Sequence, residues 1–185
     1  MDATQNLKQD HITLKRVRNI AKRCSEKLYA NEHIPFEDLQ IISVVIEEFV
    51  DRFHHGKEEQ AYFPGTKGKD TFSEDIRKFL IEHELGRRIA RMLSRSLKTW
   101  RDSNEKGSLE PLARFLKSYS VFLNDHTGKE DKFFDLIEDG NSLSEQENEG
   151  LLRHFEICQN QIGGIARVEQ MIKLIEFLEE REWMK

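Results

Sequence analysis

Two stretches of this chain repeat each other: Phe53-His54-His55-Gly56-Lys57-Glu58-Glu59 and Asp125-His126-Thr127-Gly128-Lys129-Glu130-Asp131. In each copy a histidine and a glutamate stand four residues apart, so on a helix they share one face and can close on the same ion. His54 and His126 are 72 positions apart, and so are two lone histidines, His11 and His83. In each half the lone histidine precedes the His-x-x-x-Glu pair by 43 positions, an interval that suits one helical hairpin. Two such hairpins would bring four histidines and two glutamates into one bundle core.

The rest of the sequence agrees with an all-α fold. Charged residues make up 34% of 185 and prolines number three, the balance of long solvent-lapped helices rather than of a sandwich or barrel. Apolar rows at steps of three and four mark the helices. The first carries Leu7, His11, Leu14, Ala21, Cys24 and Leu28, with Asp2 or Thr4 as its cap. The second starts after Pro35, with Glu37 and Asp38 in its first turn, and carries Ile42, Ile46, Val50, His54, Glu58 and Ala61. The run Phe63 to Lys69, with Pro64, Gly65 and Gly68, reads as a helix breaker, and Ser73 as the cap of a third helix bearing Ile76, Leu80, His83, Ala90 and Leu97. Residues 104–108 turn the chain. A fourth helix then holds Leu112, Phe115, Tyr119, Phe122, His126, Glu130 and Phe133.

Beyond Gly140, Ser144 and Glu147 have the spacing of a capping box, and that segment continues through Leu151, Phe155 and Cys158. Gly163-Gly164 predicts a kink or turn. The following face of Val168, Met171, Ile172, Ile175 and Leu178 can pack on the bundle or meet a second subunit in a homodimer. The expected organisation is a four-helix bundle over residues 1–140 and a helical extension over 141–185.

Composition also excludes partners. The net charge of −5 is spread along the chain without a basic stripe, which argues against nucleic acid. No apolar run approaches the roughly 20 residues that span a bilayer, and the N-terminus lacks a basic-then-apolar leader, so a cytoplasmic protein off the membrane is expected. Cys24 and Cys158 have no C-x-x-C partner, as expected of reduced, buried thiols.

Two glutamates on apolar stripes are costly to bury unless paired or metal-bound, and imidazoles with carboxylates in a four-helix core are a known way to hold a di-iron or di-manganese pair. The pieces Asp10-His11, His54-x-x-x-Glu58, Glu82-His83 and His126-x-x-x-Glu130 resemble the hemerythrin-like, or HHE cation-binding, family over about residues 7 to 135. The resemblance implies an up-down four-helix bundle with His11, His54, Glu58, His83, His126 and Glu130 as metal ligands. It implies two iron ions with an oxo or hydroxo bridge as cofactor, manganese being the other candidate. Oxygen-carrying hemerythrins place a second histidine one turn after the third-helix ligand, where this chain has Arg87, and end on an aspartate five residues on, where it has Glu130 four residues on. The pattern is more similar to the iron-sensing and iron–sulfur-repair branches.

Three functions are compatible with such a centre. It can bind dioxygen, nitric oxide or peroxide; it can turn over as an enzyme that reduces nitric oxide or peroxide, or donate iron for cluster repair; or it can act as a metal- or redox-dependent interaction module through its late helices. No flavin, haem or ferredoxin motif marks an electron donor. At helical spacing His55 lies about 100° from His54 and is expected at the surface. His33 and His154 are expected to be structural, and Tyr62 and Tyr119 to be core aromatics or hydrogen-bond donors near the metals. Gly56 and Gly128 suggest close approach of another element.

Overall fold

The computed structural model describes residues 1–69, 71–103 and 107–185, and these form six principal helices without a strand. The expected turn at 104–108 lies mostly outside the described residues. Helix α1 (Ala3–Tyr29) starts where the Asp2 carboxylate accepts from the Gln5 amide at 2.8 Å, and it buries the whole expected row. Helix α2 is a composite over 36–66: an α-helical Phe36–Val45, π-helical Ile46–His55 and Glu58–Tyr62, and a last α turn, Phe63–Thr66. Helices α3 (Ser73–Asp102) and α4 (Glu110–Asp139) complete the bundle. Each helix packs on its neighbours around a ring, α1 on α2 and α4, α3 on α2 and α4. This is the all-α up-down bundle the sequence predicts.

Three expectations need correction. The breaker begins only after Thr66, because the widened π turn ahead of Pro64 lets one more helical turn form before the chain leaves. Helix α3 is capped by Phe72, not Ser73: the Phe72 carbonyl takes the first bond, from the Ile76 amide, while its ring packs edge-on against Phe133 at 5.2 Å. The same anchoring turns the inner row of α3 onto Ile76, Phe79, His83, Gly86, Leu93, Leu97 and Trp100, and leaves Leu80 42% exposed.

At Gly86 the α3 backbone lies against a side chain of α4. A Cβ there would fall 2.5 and 2.6 Å from ring carbons of Phe122, and that ring stacks on His126 at 5.2 Å. Overpacking at such a contact costs about 1–3 kcal/mol. Gly86→Val is expected to lower stability by about 2 kcal/mol in urea titrations, the overpacking outweighing the helix propensity gained by replacing glycine. Neither Gly56 nor Gly128 is so constrained: a Cβ would meet only Gln60 at 3.6 Å in the first case and nothing within 4 Å in the second.

Helices α5 (Glu145–Gln161) and α6 (Ile165–Glu179) form a hairpin laid over α1 and α2. The capping box at Ser144 and Glu147 is complete. Gly163 and Gly164, at φ 112° and 77°, make the turn. Met171, Ile175, Leu178 and Trp183 join one core with Leu14, Ala21, Leu28, Ile42 and Phe49, so the apolar face of α6 is covered within the chain. Polar clasps hold the hairpin: Arg16 to Glu179 at 2.9 and 2.7 Å, and Arg167 to Glu48 at 2.6 and 2.7 Å. Asp38 is buried and accepts from Trp183 Nε1 at 2.7 Å and Arg181 Nε at 2.8 Å. Both cysteines are free and buried. Among the described residues no helix is long and apolar enough to cross a membrane.

Candidate metal centre

The four bundle helices point their polar residues at one spot. His11 comes from α1, His54 and Glu58 from α2, His83 from α3, His126 and Glu130 from α4, and none is more than 1% exposed. Donor atoms of His11, His54, Glu58 and Glu130 lie within 4.8 Å of one another, and those of His55, His83 and His126 form a second such group. The two groups share a boundary made of the carboxylates. Glu58 has Oε1 at 3.3 Å from His54 Nε2 and Oε2 at 3.4 Å from His83 Nε2. Glu130 has Oε2 at 3.5 Å from His11 Nε2, and Oε1 at 3.2 Å from His126 Nε2 and 3.4 Å from His83 Nε2. Each acid therefore spans from one imidazole group to the other.

Each of the four expected histidines has its Nδ1 against an acid of another helix, which leaves Nε2 facing inward. The pairs are His11 with Asp131 at 2.6 Å, His54 with Asp10 at 3.1 Å, His83 with Glu59 at 2.7 Å and His126 with Glu82 at 2.9 Å. A lysine of each motif tethers one of these acids: Lys57 pairs with Asp10, and Lys129 reaches Glu82 at 2.6 Å. The acids follow the 72-residue repeat, Asp10 with Glu82 and Glu59 with Asp131, so the spacing that marked the ligand candidates also marked their supports.

His55 is the principal miss. It is 2% exposed rather than at the surface, and its ring stacks on His83 with centroids 3.9 Å apart. Thr127, its counterpart on the regular helix α4, is also 2% exposed, so the residue after the motif histidine faces inward in both halves. His33 and His154 are exposed. Tyr62 is committed elsewhere, its hydroxyl 2.6 Å from Thr4 Oγ1, and Tyr119 packs in the core against Phe122.

The electrostatics fit a cation. Both oxygens of Glu58 and of Glu130, and Nε2 of His83 and His126, are buried without a hydrogen-bond partner. Leaving such groups unsatisfied costs about 1–3 kcal/mol each, more when charged. Bonds of about 2.1 Å to one ion, at right angles, place donors about 3.0 Å apart, close to the spacings seen here. Burial opposes a charge on each group, but with no cation the acids and imidazoles balance one another. His11 is pushed up to about 10 by Asp131, Glu130 and Glu58 against its burial. Burial and Glu130 raise Glu58, yet His54 and His83 bring it down to about 2. His83 lies well above its usual value and Glu130 well below, for the same mutual reason. His55 goes the other way: burial and the neighbouring His83 and His126 hold it well below the ordinary imidazole range, so it is neutral.

The family model of the hemerythrin HHE cation-binding domain matches residues 2–137. The chain belongs to this family. No curated protein and no solved structure gives a significant match. The HHE domain is a cation-binding domain, and the buried donors lie within the matched residues, on the four helices that the match spans.

Proposed function

We propose that this HHE-domain protein is a non-haem di-iron protein that binds dioxygen, nitric oxide or peroxide, with His11, His54, Glu58, His83, His126 and Glu130 as ligands. Manganese is the alternative occupant. The observation that carries the reading is the span of Glu58 and Glu130, each reaching from one imidazole group to the other with both oxygens otherwise unpartnered. Carboxylates that join two sets of imidazoles suit a pair of ions better than one. A bound iron pair supplies redox-active Lewis acids with positions left for a small exogenous ligand.

The chain's own residues do the rest. Asp10, Glu59, Glu82 and Asp131 fix each ring so that Nε2 faces the centre and accept the Nδ1 proton, which raises the basicity of the ligand nitrogen. Phe134, 5.3 Å from His11, Phe63, 5.8 Å from His83, and Phe122 beside His126 wall the site with hydrocarbon and keep water out. A groove between α3 and α4, lined by Leu85, Ile89, Val121 and Phe122 together with Glu82, Lys117, Ser118, Asp125 and Lys129, reaches His126. The bundle of residues 1–140 forms the centre in this reading, and 141–185 serves as a packed extension.

Anaerobic loading with ferrous iron, followed by exposure to dioxygen, nitric oxide or peroxide, tests the proposal. The expected result is a new near-ultraviolet to visible charge-transfer band with at least one of the three. Loaded protein whose spectrum none of them changes would defeat it. Steady-state consumption with an external reductant would move the assignment from binding to turnover.

A further inference from the structure

We propose that His55 is a seventh metal ligand, supplying from α2 an imidazole to the ion held by His83 and His126. The inference rests on the two-ion reading above and goes beyond its six residues.

The internal repeat fails at one place. Every residue of the centre has a counterpart 72 positions on: His11 and His83, His54 and His126, Glu58 and Glu130, Asp10 and Glu82, Glu59 and Asp131, Lys57 and Lys129. Even Arg87 has one, since Lys15 touches Asp131 at 3.2 Å as Arg87 touches Glu59 at 2.6 Å. His55 and Asp51 have none. Their counterparts are Thr127 and Leu123, and the Thr127 hydroxyl merely donates to the Leu123 carbonyl at 2.8 Å within its own helix. The first half thus carries an added histidine and an added acid one turn before it, and there the backbone is π-helical.

The added imidazole has no other occupation. Both its nitrogens are buried without a hydrogen-bond partner, the nearest acid oxygen being Asp51 Oδ1 at 3.5 Å from Nδ1. A structural histidine in a core normally satisfies at least one nitrogen. Donor atoms of His55, His83 and His126 lie within 4.8 Å of one another; the His55 ring lies stacked on His83 and edge-on to His126, so sharing an ion with His83 requires it to turn off that stack.

Arg87, one turn after His83, joins the two rings at this corner of the centre. Its Nε donates to Asp51 at 2.8 Å and its Nη2 to Glu59 at 2.6 Å. One guanidinium therefore ties together the acids behind His55 and His83, making Arg87 a positioning residue for both rings. One ion would then have three imidazoles and its neighbour two, His11 and His54.

The test uses the full chain and three measurements. Anaerobic ferrous titration against a competing chelator compares the wild type with His55→Phe, which keeps the stacked ring, and with His83→Ala. His55→Phe is expected to hold one ion as the wild type does and to bind the second about tenfold or more weakly. Wild-type protein loaded with cobalt(II) should show five paramagnetically shifted exchangeable imidazole N–H signals, since each ligating ring keeps one N–H. That count stands on its own if His55→Phe fails to fold. Four signals, or unchanged binding in His55→Phe beside weakened binding in His83→Ala, would overturn the role of His55 and leave the two-ion reading intact. Unchanged binding in both variants would overturn the two-ion reading itself.

Discussion

Replacing Glu58 and Glu130 together by glutamine is expected to give a folded chain that retains no iron through desalting, against about two ions per wild-type chain. The amide keeps the volume of the acid, so the surrounding aromatic core is not opened, and the variant should keep its helical circular dichroism. What it removes is the charge that bridges the imidazole groups. Neutral imidazoles alone cannot offset the charge of two divalent ions brought into a dry core, so both sites should fail together. The two acids also hold protons on His11, His54, His83 and His126 when no cation is present. In the variant those histidines should titrate lower, and histidine proton resonances would show His11 falling from about 10. In the wild type, protons compete with metal for the same nitrogens, so retention should weaken as pH falls.

Trp183→Ala is expected to be the most damaging single change away from the centre, lowering unfolding free energy by about 3–5 kcal/mol. The ring is 7% exposed and lies in the core formed by α1, α2 and α6. Truncation leaves a cavity and takes one of two donors from the buried Asp38 carboxylate, whose other partner, Arg181, is part-exposed. For a chain of this size that loss corresponds to a melting temperature about 10 °C lower. Iron content should stay unchanged, because Asp38, which Trp183 holds, lies in the first turn of α2, 16 residues and roughly 24 Å of helix before His54. A melting temperature within a degree or two of wild type would mean that the C-terminal turn adds nothing to the fold.

The ligand candidates were legible because their chemistry is local and repeated. A His-x-x-x-Glu pair needs only helical spacing, and a second copy at a fixed interval turns a weak motif into a specific one. The supporting acids Asp10, Glu59, Glu82 and Asp131 were not singled out, although each adjoins a ligand candidate and obeys the same interval. The inward placement of His55 was not legible, because a residue about 100° from a core position can face solvent or a neighbouring helix, and only the packing of α2 against α3 decides which. The one-residue error between Phe79 and Leu80 has a related origin: two adjacent large apolar residues fit either register until Phe72 and Phe133 fix the rotation of α3. The clasp of Trp183 on Asp38 joins residues 145 positions apart, and no local pattern encodes a contact of that range. Asp38 reads in sequence as an ordinary first-turn acid, which it also is.

The central claim is that buried imidazoles and two acids from all four bundle helices close around a pair of cations. A crystal structure of iron-loaded protein, with anomalous differences measured on both sides of the iron edge, tests it most directly. Two iron peaks flanked by Glu58 and Glu130, one beside His11 and His54 and the other beside His83 and His126, are the result this account requires. A single peak, or iron found only on surface carboxylates while the core donors stay without it, would contradict it.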